Sequence, residues 1–183
     1  LVRSRGLGDV YKRQDVKLPE ELTTSVETLE ADTLTVLSDL NHASQKGLQT
    51  IFDCSVGRST VNHPLGGRYQ LTPTEASVQK LPVQHGVTHT ASVMAQGFNP
   101  YVAEWSPYHG AAYAVVEATA RLVAAGANWS KARFSYQEYF ERMDKQAERF
   151  GQPVAALLGS IEAQIQLGLP SIGGKDSMSG TFE

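Results

Sequence analysis

The chain has 183 residues, 41% of them hydrophobic and 8% aromatic, enough to bury one substantial core. Its formal net charge of -3 offers no support for binding nucleic acid or an anionic membrane, leaving a small molecule or another protein as partner. The single cysteine, Cys54, excludes an internal disulfide and a thiolate metal cluster and favours a reducing, cytoplasmic setting; it reads as a small half-buried residue before a nucleophile.

In chain order, the opening "LVRSRGLGDVYKRQ" carries Arg3, Arg5, Lys12 and Arg13 against Asp9 and shows neither helical nor strand periodicity. Residues 1–14 read as a non-native, disordered scar of the kind left by a translated adapter, with a natural basic arm as the alternative. No apolar run reaches the length of a bilayer span. "LTVLSDL", Leu34 to Leu40, predicts a short strand. "HASQKGLQTIFDC" predicts a helix of about three turns with Leu48, Ile51 and Phe52 toward the core. From Ser55 to Glu75, Gly57, Pro64, Gly66, Gly67 and Pro73 punctuate a long loop.

"VTHTASVMAQG" alternates as a strand, with Val87, His89, Ala91 and Val93 on one face. "GAAYAVVEATARLVAAG" is the clearest helix, closed by Gly126, with Ala112, Val115, Val116, Thr119, Leu122 and Val123 as its apolar stripe and Glu117 beside it. "ARFSYQEYF" alternates Phe134, Tyr136, Glu138 and Phe140 against Ser135, Gln137 and Tyr139. "YFERMDKQAERF" is a charge run suited to a solvated face, and "PVAALLGSIEAQIQLG" a second helix with Pro153 in its first turn and Gly168 as its stop. "LPSIGG" is a short strand leading into "GGKDSMSG". The uneven spacing predicts α+β: a mixed sheet with helices on one face.

In that last motif, Gly173 and Gly174 let backbone come close to a ligand or adopt positive φ, Lys175 suits a phosphate, Asp176 suits magnesium, and Ser177 and Ser179 add hydroxyls. The P-loop spacing is absent, so the residues fit a phosphate-and-metal corner or a plain turn equally. Glu117 is either a second carboxylate for the same metal or a solvated helix residue. His89 and His109 lie too far apart in sequence to imply a ligand pair.

Four stretches, "FDCSVGRSTVNHPLGGRYQLTPTEASVQKLPV", "GFNPYVAEWSPYHGAAYAVVEATARLVAAGANW", "RFSYQEYF" and "LGLPSIGGKDSMSGTF", resemble in order the large form of phosphoribosylformylglycinamidine synthase, from about Glu27 to Glu183. The resemblance implies a ligase using ATP and Mg2+, with glutamine as amide donor, that converts formylglycinamide ribonucleotide to formylglycinamidine ribonucleotide in purine biosynthesis. Its superfamily is aminoimidazole-ribonucleotide-synthase-like. The expected organisation is 1–14 scar, 15–80 linker and lead-in, and 81–183 N-terminal subdomain of the second synthetase copy, cut at its C-terminal end.

The partners so implied are the first synthetase copy and the glutaminase domain, and the fragment alone would be silent. By resemblance, Asp176 and Glu117 match metal carboxylates, and Gly173, Gly174, Lys175 and Ser177 surround the nucleotide phosphates. Two positions depart from the pattern: Arg121 stands where some relatives carry an asparagine ligand, and Met94 where they supply an aspartate. These departures favour a second expectation, a structural half that holds a nucleotide without turning it over.

Overall fold

The structure is a computed structural model that describes residues 25–51, 57–143, 145 and 147–180. The scar expected over 1–14 and the positions of Phe52 and Cys54 lie outside the described residues. The chain divides into two compact units, with the division between Ala91 and Ser92 rather than at 80/81. The segment after Lys80 closes on itself through the Leu81 N–H, which donates to the Thr90 carbonyl at 2.9 Å, so these residues stay with the first unit.

In the first unit, α1 (Leu29–Ser38) replaces the strand expected over 34–40. Hydroxyl side chains along this helix bond back to the preceding turn: Thr33 donates to the Leu29 carbonyl at 2.6 Å, Thr35 to Ala31 at 2.9 Å and Ser38 to Leu34 at 2.7 Å. The helix expected over 42–54 is the single turn α2 (Lys46–Gln49), and Leu48 and Ile51 are exposed rather than core-facing. The loop contains a small antiparallel hairpin, β1 (Leu65–Gly66) with β2 (Thr72–Pro73), whose turn uses positive φ at Gly67 and Gln70. An unexpected strand, β3 (Ala76–Lys80), buries Val78 and bonds to 59–61 through Val61 N–H to Val78 O and Lys80 N–H to Ser59 O.

The second unit begins within β4 (Ala91–Ala95), shorter than the strand expected from Val87, which is exposed together with His89. Two helices follow, each opened by a capping side chain and a proline. Asn99 accepts from the Val102 N–H ahead of α3 (Pro100–Trp105), and Ser106 accepts from the His109 N–H ahead of α4 (Pro107–Ala124). Gly126, at φ 83°, follows the end of α4. Val115 and Ala118 turn inward, whereas Val116 and Val123 of the expected stripe are half exposed.

β5 (Phe134–Tyr139) confirms the expected alternation, with Phe134 buried and Tyr136 and Glu138 half-buried on one face. After it, α5 (Ala147–Leu167) starts well before Pro153, which lies inside the helix and is buried with Gly151, Ala155 and Ala156. β6 (Ser171–Ser177) then pairs parallel to β5, with α5 as the crossover that parallel neighbours need. Val115, Ala118, Phe134 and Leu169 form the core, where α4 meets the start of the β5–β6 ribbon.

The architecture is therefore α+β, but not one mixed sheet: no sheet among the described residues has more than two strands. No helix among them is long and apolar enough to cross a membrane.

Candidate functional site

The motif "GGKDS" is neither a corner nor a turn. Residues Gly173, Gly174, Lys175, Asp176 and Ser177 all belong to β6, in register with Ser135, Tyr136, Gln137, Glu138 and Tyr139 of β5. Neither glycine has positive φ. Gly174 has a packing reason: a Cβ there would stand 2.8 Å from the Tyr136 carbonyl oxygen. Gly173 has none, since nothing lies within 4 Å of the place its Cβ would take.

Strand alternation divides the expected cluster between two faces. Gly173, Lys175 and Ser177 share one face, and Gly174 and Asp176 the other. Lys175 and Asp176 are exposed, and Ser177 is half-buried. The first face therefore offers an ammonium and a hydroxyl beside bare backbone, an arrangement suited to a phosphate.

On the second face the carboxylate beside Asp176 is Glu138, its register partner across the parallel strands. Burial, and then the charge of Asp176, push the Glu138 carboxyl up from its ordinary value. Next along this face, the Tyr136 hydroxyl is buried without a hydrogen-bond partner among the described residues, and burial raises it to about 12. Two adjoining carboxyls of this kind can share a proton or meet a cation. Glu138 and Tyr136 were not singled out from the sequence, although a carboxyl on the apolar-facing side of "FSYQEYF" is the signal that could have found Glu138.

Glu117 lies on α4 and its partners are elsewhere. One carboxylate oxygen meets Arg121 Nη2 at 2.9 Å; the other accepts from the Phe98 N–H at 2.8 Å. Arg121 also donates from Nη1 to the Gln96 carbonyl at 2.8 Å. Glu117 is thus hydrogen-bonded within 96–121 and has no partner on β6 among the described residues. No group of three or more His, Cys, Asp or Glu side chains able to hold a metal ion occurs among the described residues.

The other candidates take structural places. His109 Nδ1 lies 2.8 Å from the Ser106 hydroxyl at the start of α4, and Met94 is an exposed residue of β4. Compared with family models, curated proteins and solved structures, the chain matches none.

Proposed function

We propose that this chain is part of a cytoplasmic, ATP-dependent carbon–nitrogen ligase that uses glutamine as amide donor to convert formylglycinamide ribonucleotide to formylglycinamidine ribonucleotide. In this reading it contributes a nucleotide-binding portion of a synthetase module and is inactive without the first synthetase copy and the glutaminase domain. The order of the resembling stretches supports the family. The observation that carries the site is the face of β6 on which Lys175 and Ser177 flank the open backbone at Gly173. That face lies toward the C-terminal ends of two parallel strands, where ligands of α/β units gather.

The nucleotide phosphates would lie against Lys175, Ser177 and the Gly173 backbone, held by charge and amide donors. Magnesium would find the carboxylates of Asp176 and Glu138 on the face of the ribbon opposite Lys175 and Ser177, with water completing its shell. It does not fit Glu117, whose oxygens are already engaged.

That last observation favours a second reading within the same family, a structural half that retains nucleotide without turning it over. Calorimetric titration with ATP and ADP, followed by assay for released phosphate in the reassembled enzyme, separates the two. Exchangeable nucleotide lost together with turnover in Asp176→Ala supports the working site. Retained turnover with loss of a tightly held nucleotide supports the structural one, and no saturable nucleotide binding refutes both.

A further inference from the structure

We infer that Glu117 is not a metal ligand but the anchor of a clasp whose cation is covalently built in as Arg121, and that the clasp fixes the 96–98 crossing onto α4. Both carboxylate oxygens are committed, one to the guanidinium at 2.9 Å and one to the Phe98 N–H at 2.8 Å. The same guanidinium reaches over the crossing to the Gln96 carbonyl at 2.8 Å. One ion pair therefore holds the backbone on either side of Gly97.

Gly97 itself explains why a clasp is possible. A Cβ at this position would stand 2.7 Å from the Ala118 nitrogen and would run into the Ala114 carbonyl, so the chain passes directly against the helix backbone. The side chains are 34% exposed for Glu117 and 22% for Arg121, so the pair is partly withdrawn from water and less screened than a surface pair.

A magnesium ion at Glu117 would need a carboxylate oxygen at about 2.0–2.1 Å in octahedral geometry. It would have to displace the guanidinium or sit beside it, setting a dication against a fixed positive charge. The built-in cation already supplies the neutralisation. The inference rests on the ligase reading only for the expectation of a metal; the clasp stands on this chain's own geometry.

The test is thermal unfolding and calorimetric titration of the full chain with magnesium chloride, free of nucleotide, together with Glu117→Ala, Arg121→Ala and the double variant. The expected results are a wild-type melting temperature indifferent to millimolar magnesium and a fall of roughly 5 °C in each single variant. The double variant should lose clearly less than the two falls added together.

Limited proteolysis should begin near Gln96–Asn99 in Arg121→Ala. A magnesium-dependent rise in the wild-type melting temperature that Glu117→Ala abolishes would overturn the inference, as would an Arg121→Ala variant that melts like wild type. The wild-type titration needs no variant to fold. A chain that keeps the clasp yet binds no nucleotide would refute the ligase reading and leave this one standing.

Discussion

Alanine at Gly173 and at Gly174 should act in opposite directions, although the two positions are adjacent and chemically identical. At 174 the new Cβ meets the Tyr136 carbonyl oxygen at 2.8 Å, where ordinary contact begins near 3.4 Å, so the paired strands must part by about 0.6 Å. Overpacking of this kind costs about 1–3 kcal/mol, and loss of glycine's unfolded-state freedom offsets about 0.4–1 kcal/mol of it. The net loss is roughly 1–2 kcal/mol, a fall in melting temperature of roughly 5–15 °C for a unit of this size. At 173 the φ is not in the left-handed region and the space is open, so only the unfolded-state gain remains, a rise of about 2–6 °C. Circular dichroism melts of the two variants without ligand measure both values. Equal destabilisation at the two positions would mean that the glycine pair forms a tight turn, and the strand description of the motif would fail.

Three further outcomes follow from the second unit. Gly159→Ala should lower the melting temperature, because its Cβ would stand 2.8 Å from the Tyr108 carbonyl carbon and force α4 from α5; unchanged melting would refute that close approach. Tyr136→Phe should leave stability unchanged or raise it by about 1 kcal/mol at neutral pH, since it removes a buried hydroxyl without a partner; a clear loss in chemical denaturation would reveal a partner. Glu138 has its folded-state pKa raised, so its protonated form is favoured by folding; its contribution is full below the ordinary value of 4.5 and is lost as pH rises through the folded value. Glu138→Gln should therefore be more stable than wild type at neutral pH and converge with it below that value, as denaturant midpoints across pH will show.

The elements most legible in the sequence are those whose signals are local. The α4 helix announces itself by its apolar stripe and closing glycine, though its start at Ser106 and Pro107 emerges only in the structure, and β5 announces itself by strict alternation from Phe134 to Phe140. Segment 34–40 misleads because a short apolar run satisfies strand and helix alike, whereas the helix already begins at Leu29, and the hydroxyls of Thr35 and Ser38 fit it by donating to carbonyls one turn back. Pro153 reads as a helix start, yet Gly151, Pro153, Ala155 and Ala156 are buried, and packing outweighs the local break.

The site is legible as a set of residues but not as an arrangement. "GGKDS" in isolation suits a turn; only pairing with β5 makes it a strand, separates Lys175 from Asp176 and brings Glu138 to Asp176. Glu117 is visible as a helix carboxylate, but its commitment to Arg121 one turn later and to the Phe98 amide nineteen positions earlier depends on the path of the backbone.

The most direct measurement is calorimetric titration of ATP and ADP into the full chain and into Lys175→Ala. The proposed function predicts saturable binding to wild type and a loss of about tenfold or more in the variant, the scale of one charge-assisted contact. Absence of saturable binding, or equal affinity in the two proteins, would contradict it.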